Sequence, residues 1–363
     1  MKKVLTIVGS VLLGVLLLWG YHSYQQSEQD KQERQQSEQT KQERQKYENM
    51  DYYTGKWEID SYEFLEDGRG VAVHWKSLNP DEDRLFQKYN PRFGDSFART
   101  NGASNQRYIT RLNIKIQSGS LARNRPQDES DGYFTLSIYR IRDRRLEESK
   151  VDLYHLVGDY NENYFPVSTG DIVEINGKDY LPIAVHNPDW YITKRKQLWL
   201  NLETKQIDWE DTKIQQYPKT PSVDLGSLKE KLIEMTILQT YYDSLRQNQL
   251  SFHQDVLKGS VLETAAPKVY QLLSKQDSQF YLLIDSKIYN HEVYGDVPQF
   301  LDLYQLFVPA NTNLYEGLKI PAELSKDDQE HSVNTKEEFD LYYDVSKDRE
   351  LNKQRRILVE KEE

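Results

Sequence analysis

The longest apolar run of the chain lies near its N-terminus, within residues 1–24. Val4–Tyr21 contains 18 residues without a charged side chain, and Lys2 and Lys3 precede it. A helix rises about 1.5 Å per residue, so this run reaches roughly 27 Å, close to the apolar thickness of a bilayer. The pattern predicts a single transmembrane helix that serves as a signal-anchor.

The residues that flank this run predict its orientation. Trp19, Tyr21 and Tyr24 stand where aromatic side chains meet the membrane interface, and Lys2 and Lys3 are expected on the cytoplasmic side. A cleaved signal peptide is the alternative, but cleavage requires small residues before the cut, and bulky residues follow this run. We therefore expect a single-pass cell-membrane protein with a cytoplasmic N-terminus and an extracytoplasmic body.

Residues 25–50 are polar and contain an internal repeat. The sequence QQSEQDKQER of Gln25–Arg34 returns as QQSEQTKQER in Gln35–Arg44. These residue types favour helix, and neither copy contains an apolar residue that could form a coiled-coil seam. We expect a stalk that lifts the following domain off the membrane. A duplication in a tolerant linker is the alternative reading of the repeat.

Residues 51–216 show the period-two alternation of β-strands. Asn176-Gly177 separates the apolar runs Ile172–Ile175 and Lys178–Val185, which is a strong signal for a hairpin with a type I′ turn. Other strands are predicted from side chains that share a face: Val71, Val73 and Trp75; Tyr108, Leu112, Ile114 and Ile116; Phe134, Leu136 and Ile138. The pattern favours a mainly antiparallel β domain, either a sandwich or a partly closed barrel.

Residues 217–226 contain two prolines and are predicted to form a linker. Residues 227–348 then alternate between helical and strand periodicity, which predicts a smaller α+β domain, and 349–363 is a charged tail. A long helix is expected to open at Ser227, where Glu230 completes a capping box. The further elements expected are a helix at Ala265–Lys275 and strands at Gln279–Ile288, Phe300–Val308 and Phe339–Val345.

One local motif resembles a known family. Gly55-Lys56-Trp57 is followed by Phe64–Gly70, which contains Asp67-Gly68. This segment is similar to the opening of lipocalin-like small barrels, which begin with a Gly-x-Trp strand and a hairpin that turns on Asp-Gly. The resemblance covers only Gly55–Gly70. It implies a barrel mouth that binds a small apolar or amphipathic ligand, as in a carrier or sensor.

The amino-acid composition limits the kinds of site that the chain can form. The chain has 363 residues, a net charge of -11 and no cysteine, so disulfides, thiolate metal sites and cysteine nucleophiles are excluded. The acidic balance argues against nucleic-acid binding. The histidines are too far apart in sequence for a metal motif, and Asp128–Gly132 lacks the ligand spacing of a calcium loop. We predict no cofactor, no metal and no catalytic residue.

A basic stretch stands out against this acidity. Residues Arg99 to Arg145 include ten Lys or Arg and four Asp or Glu. The candidate anionic-partner face consists of Arg107, Arg111, Lys115, Arg140 and Arg142. Such a face could bind an anionic envelope polymer or an acidic partner. The alternative is that these side chains solvate the outer face of antiparallel strands.

These observations favour a membrane-anchored bacterial cell-envelope protein whose extracytoplasmic part binds or assembles with an envelope polymer or another envelope protein, without catalysis. An anchored hydrolase or transferase that acts on glycan or peptide is the first alternative, because catalytic carboxylates can be distant in sequence. The lipocalin-like carrier or sensor is the second. The 26 Tyr and 6 Trp also suffice for exposed platforms that bind sugars or peptides, although strand and core positions explain many of them.

Overall fold

The structure is a computed structural model. It describes residues 50–90, 102–117, 125–126, 129–188, 196–211, 249–251, 257–283, 305–348 and 350, with single positions between 28 and 48. Several predictions lie outside these residues: the apolar run Val4–Tyr21 with its flanking Lys2, Lys3, Trp19, Tyr21 and Tyr24, the linker 217–226, the helix opening at Ser227, and all of the tail except Glu350. Among the described residues, no helix combines the length and apolar character that crossing a membrane requires.

Strands dominate the described chain. They are β1 (Met50–Tyr53), β2 (Trp57–Phe64), β3 (Gly70–Ser77), β4 (Tyr108–Gln117), β5 (Tyr133–Arg142), β6 (Arg145–Asp152), β7 (Phe165–Thr169), β8 (Val173–Ile175), β9 (Lys178–His186), β10 (Lys196–Asn201), β11 (Gln206–Asp211), β12 (Gln249–Ser251), β13 (Ser278–Leu282), β14 (Leu318–Ile320) and β15 (His331–Val333). The helices are α1 (Pro80–Tyr89), α2 (Leu153–Tyr160), α3 (Val261–Ala265), α4 (Pro267–Leu273) and α5 (Lys336–Tyr342), with a 3-10 turn at Ala322–Leu324.

The strands pair antiparallel in three larger sheets and one small pair. The central sheet has the order β1-β4-β5-β6, the outer sheet β11-β10-β9-β7 with β8 beside β9, and the joining sheet β12-β13-β3-β2. The strands β14 and β15 pair with each other. The prediction of mainly antiparallel β structure is confirmed.

Both faces of β4, in the central sheet, are covered. The shared face predicted for Tyr108, Leu112, Ile114 and Ile116 is confirmed, because these side chains pack in one core with the outer sheet and α2. On the opposite face, Ile109 and Tyr139 pack with Trp57, Val73 and Trp75 of the joining sheet. A strand that is covered on both sides buries alternate residues in two different cores.

Two predicted hairpins are present. Ile175 pairs with Lys178 around the turn, and Asn176 and Gly177 have φ angles of 52° and 77°, as a type I′ turn requires. The turn through Gly68 likewise joins β2 to β3. The other neighbour of β3 is β13 rather than the next strand along the chain. An up-and-down barrel of the lipocalin type pairs consecutive strands, so the resemblance ends at this hairpin.

The joining sheet combines distant parts of the chain. Phe280 of β13 pairs with Ala72 of β3, and both side chains lie in a core with α3, α4 and the segment around Phe307. Strands from both sides of residues 217–226 therefore share one sheet. The division into domains at this linker stays a prediction, because the linker lies outside the described residues.

The C-terminal elements differ in part from prediction. The expected helix is confirmed at α4, and the strand expected from Gln279 is confirmed through Leu282. The strand expected at Phe339–Val345 is wrong, because α5 occupies most of this segment. The side chain of Thr335 accepts a hydrogen bond from the backbone N–H of Glu338, which caps this helix. The described end of Phe300–Val308 forms turns instead of strand.

Candidate functional site

Arg111 of the predicted basic face is buried between two aromatic rings. Its guanidinium carbon lies 4.3 Å from the ring centroid of Trp75 and 5.2 Å from that of Trp57. Only 6% of the residue is exposed, and burial lowers the pKa of Arg111 to about 10. The negative ring faces stabilise the cation in place of water. This arginine holds the central sheet to the joining sheet.

Lys115 is also in the interior. Its Nζ lies 2.6 Å from Oε1 of Glu82 in the first turn of α1, and only 3% of its side chain is exposed. The neighbouring Asp83 accepts hydrogen bonds from the hydroxyls of Tyr53, at 2.5 Å, and Ser77. Burial raises the pKa of Asp83, and the two hydroxyl donors oppose this shift. This cluster fixes α1 against the central and joining sheets.

Arg107 lies immediately before β4 and is partly exposed. Its guanidinium lies 2.6 Å from a carboxylate oxygen of Glu174 and 2.6 Å from one of Asp179. Asn105 donates a further hydrogen bond to Asp179 at 2.9 Å. Burial raises the pKa of Asp179, whereas the charge of Arg107 lowers it. Arg107 therefore ties the central sheet to the β8–β9 hairpin.

Arg140 and Arg142, in contrast, are at the surface on β5, with 45% and 65% of their side chains exposed. Arg140 lies 3.5 Å from Glu203, and Arg142 lies 3.8 Å from Asp143. Exposed ion pairs of this length contribute about 0–1 kcal/mol. The structure thus separates the five predicted residues. Arg111 and Lys115 are buried, Arg107 is a partly exposed tie between two sheets, and Arg140 and Arg142 face solvent.

The turn that follows Arg142 adds two more arginines, Arg144 and Arg145, close to it. Asp143 and Arg144 have φ angles of 50° and 57°, which makes a two-residue turn between β5 and β6. Arg142 and Arg145 then stand directly opposite each other in the register. Both are exposed. Like charges at directly opposite positions destabilise a hairpin. The exposed carboxylate of Asp143, 3.8 Å from Arg142, offsets part of this repulsion.

Arg144 has a different role. Its Nη2 donates a hydrogen bond of 2.7 Å to the backbone carbonyl of Leu65, and its guanidinium lies 5.9 Å from the ring centroid of Phe64. These contacts attach the turn to the β2–β3 hairpin. We name the group formed by Arg140, Arg142, Arg144 and Arg145 the arginine hairpin. Arg144 positions it, while the other three present their guanidinium groups to solvent.

This arrangement can bind anions. A guanidinium group is planar, stays charged, and donates paired hydrogen bonds to phosphate or carboxylate oxygens. Arg140 and Arg142 were predicted as part of the anionic-partner face, whereas Arg144 and Arg145 were predicted only as members of the basic stretch. A signal for the turn was present in the run Arg-Ile-Arg-Asp-Arg-Arg of residues 140–145, in which the polar pair Asp143-Arg144 separates two strands of alternating pattern.

Ser325, Asp327 and His331 form a hydrogen-bonded cluster in the described part of the chain. His331 Nε2 lies 2.7 Å from Oδ1 of Asp327, which also accepts a hydrogen bond of 2.5 Å from Ser325. The hydrogen bonds from Ser325 and His331 lower the pKa of Asp327 to about 2. The aspartate lies between the serine and the histidine, whereas an activated nucleophile requires the histidine next to the serine. Within the described ranges, no group of three His, Asp or Glu side chains could hold a metal ion.

Comparison with known proteins gives no further guide to function. No family model, no curated protein and no solved structure matches this chain. Function must therefore rest on the sites themselves. Of the five residues of the predicted face, Arg140 and Arg142 of the arginine hairpin are the most exposed, and Arg107 is partly exposed.

Proposed function

We propose that this protein is a membrane-anchored bacterial cell-envelope protein whose extracytoplasmic part binds an anionic envelope polymer without catalysis. The observation that carries the proposal is the exposed pair formed by Arg142 and Arg145, which stand opposite each other on the arginine hairpin. Asp143 offsets part of the repulsion between these two residues, and an anion that bridges both guanidinium groups would relieve the rest.

The N-terminal region supports the anchor. The apolar run Val4–Tyr21 is long enough to span a bilayer and follows two lysines. Every described position between 28 and 48 is helical. At the end of this segment, Tyr47 and Met50 pack with Phe86 of α1. A helical stalk that ends in a packed contact would hold the body at a defined distance from the membrane.

The packing of the sheets supports a finer description of the body. The central sheet has one core against the outer sheet and another against the joining sheet, and this layering favours a sandwich over a partly closed barrel. The elements α3 to α5 with β14 and β15 are consistent with a smaller α+β part. The arginine hairpin joins β5 to β6, and the pair Ile141 and Leu146 beside its turn packs against the core that the central and joining sheets share.

The chemistry of the hairpin favours a polymer over a single small anion. Each exposed guanidinium binds an anion weakly in water, and several contacts to one chain add their effects. The net charge of -11 repels polyanions from the rest of the surface, so binding should concentrate at this local positive site. Because the contacts are exposed, salt should weaken them. At about 0.1–0.15 M salt the Debye length is about 8–10 Å, and attraction between charges farther apart than this is largely screened.

The test uses the full chain in detergent and an immobilised glycerol phosphodiester polymer. Arg142→Glu/Arg145→Glu should weaken binding at least tenfold, and raising the salt should weaken binding by the unchanged protein. Lys275→Glu/Lys319→Glu is the matched control, because it reverses two exposed charges elsewhere. Equal loss in both variants, or no loss in the arginine variant, would contradict the proposed site.

The anchor is tested separately. Protease added outside intact cells should remove the body of the protein and leave a short membrane-bound fragment. Protection of the C-terminus would contradict the proposed orientation. Cross-linking in the native envelope would then show whether the bound partner is the polymer or another envelope protein.

A further inference from the structure

We infer that the outer sheet carries a second binding site, specific for a neutral β-linked glycan and centred on Trp209. This site does not depend on the anion binding proposed for the arginine hairpin. It consists of one partly exposed aromatic ring between two carboxylates, each held by a hydrogen bond from a buried aromatic side chain. The residues that carry it are Tyr180, Trp199, Asn201, Asp208, Trp209 and Asp211.

Trp209 lies on β11, which is at one edge of the outer sheet among the described strands. Its ring stacks on that of Trp199, with centroids 5.6 Å apart and an interplanar angle of 22°. The ring of Tyr180 meets it at 64°, with centroids 4.6 Å apart. Trp199 and Tyr180 are buried, whereas Trp209 is partly exposed. The two buried rings fix the orientation of Trp209, and its outer surface remains open to solvent.

A bulge places the first carboxylate beside this ring. Trp199 pairs with Trp209 and Leu200 pairs with Ile207, so Asp208 is the extra residue of β11. Such a bulge redirects a side chain. Oδ2 of Asp208 accepts hydrogen bonds from the hydroxyl of Tyr180 at 2.8 Å and from Nδ2 of Asn201 at 3.1 Å.

Asn201 is itself fixed, because its Oδ1 accepts hydrogen bonds from the backbone N–H groups of Glu203 and Thr204. Burial raises the pKa of Tyr180 to about 12, so its hydroxyl remains a donor at neutral pH. Both donors therefore hold Asp208 through the same oxygen. Within the described part of the chain, its Oδ1 accepts no hydrogen bond.

The second carboxylate belongs to Asp211, which follows Trp209 at the end of β11. Oδ2 of Asp211 accepts a hydrogen bond of 2.6 Å from Nε1 of Trp199. Two buried donors thus hold Asp208 and one holds Asp211, in each case through Oδ2. The other oxygen of each carboxylate can accept a hydrogen bond from a ligand. The rigid placement of both carboxylates lowers the entropy cost of binding.

This combination matches the chemistry of a sugar. A pyranose ring presents a face of polarised C–H groups, which the negative face of an indole attracts, and an equatorial rim of hydroxyl donors, which carboxylates accept. Chains with β-1,4 linkages are flat ribbons that expose such faces. The two carboxylates repel an anionic sugar, so the ligand class is a neutral glycan.

The experiment measures binding of short glycans to the full chain by calorimetry, in a detergent without a sugar headgroup. The probes are chitotetraose and cellotetraose, which are neutral, and tetragalacturonate, which is anionic. We expect saturable binding of at least one neutral probe, accompanied by a change in tryptophan emission, and at least tenfold weaker binding of the anionic probe.

The variants separate the site from general effects on folding. Trp209→Ala should weaken binding at least tenfold, and Asp208→Asn should weaken it about threefold to tenfold while keeping the shape of the side chain. Tyr62→Ala is the matched control, because Tyr62 is a partly exposed aromatic residue on the edge strand β2. It should leave binding unchanged within twofold. If Trp209→Ala does not fold, Trp209→Phe and Asp208→Asn still test the site.

Three results would overturn the inference: neither neutral probe binds, the anionic probe binds best, or Asp208→Asn and the Trp209 variants bind as the unchanged protein does. Loss of phosphodiester binding in the arginine variant would leave glycan binding intact. The two sites can therefore fail independently.

Discussion

Individual charges in the interior contribute to this fold through their partners. Lys115 and Glu82 form an ion pair that is almost closed to water, and Arg111 lies between two indole rings. Removing one member of a buried pair leaves an uncompensated charge, which costs about 3–5 kcal/mol. Replacing both members costs much less, because no charge then remains buried.

Lys115→Met should therefore lower the free energy of unfolding by about 3 kcal/mol, since Glu82 keeps its charge without a partner. Lys115→Met/Glu82→Gln should recover at least half of this loss. Urea denaturation of the two variants and of the unchanged protein measures both values. Additive losses from the two substitutions would show that the pair is not coupled.

The sequence predicted which side chains share a face of β4, but not what covers that face. Alternation separates Tyr108 and Leu112 from Arg111 and Lys115, and the structure keeps this division. Basic side chains on one face are typical of a solvated strand. The cover over Arg111 includes Trp75 of another strand, a contact that a local pattern cannot indicate.

At the scale of the element, the stability of the arginine hairpin depends on its two-residue turn. Arg144 adopts a φ of 57°, a conformation that costs a residue with a Cβ about 1 kcal/mol relative to glycine. Its hydrogen bond to the carbonyl of Leu65 offsets part of this cost. The turn therefore combines a strained backbone with a side chain that attaches it to the β2–β3 hairpin.

Two substitutions separate these effects. Arg144→Ala removes the hydrogen bond and keeps the strain, whereas Arg144→Gly removes both. We expect Arg144→Ala to be less stable than Arg144→Gly by about 1 kcal/mol in thermal or urea unfolding. If alanine is as stable as glycine at this position, the backbone does not adopt the left-handed conformation in solution.

A turn, strand or helix could be predicted where the conformational preferences of neighbouring residues determine it. Asn176-Gly177 fixes a turn through its own backbone preferences, and the predicted hairpin is present. The strand predicted at Phe339–Val345 failed because Phe339, Tyr342 and Tyr343 also fit a helical repeat. The N-cap formed by Thr335 favours the helix over the strand. Thr335 precedes the apolar residues from which the strand was predicted.

At the scale of the whole molecule, the joining sheet connects residues that are far apart in sequence. Trp75 Nε1 donates a hydrogen bond of 2.8 Å to Gln279 across 204 positions. Phe280 lies against Gly70 so closely that a Cβ there would meet its ring at 2.1 Å. Periodicity within each strand gave no sign of this pairing, since a strand pattern does not specify its partner.

This pairing predicts that the body does not divide into two independent folding units at residues 217–226. A fragment of residues 46–216 lacks β13, which leaves the edge of β3 unpaired and uncovers Ala72. We expect it to aggregate or to unfold without a cooperative transition, since exposed apolar strand edges associate. Co-expression with residues 227–363 should restore a soluble complex. Cooperative unfolding of 46–216 alone, with the stability of the full chain, would instead show that the linker separates two autonomous domains.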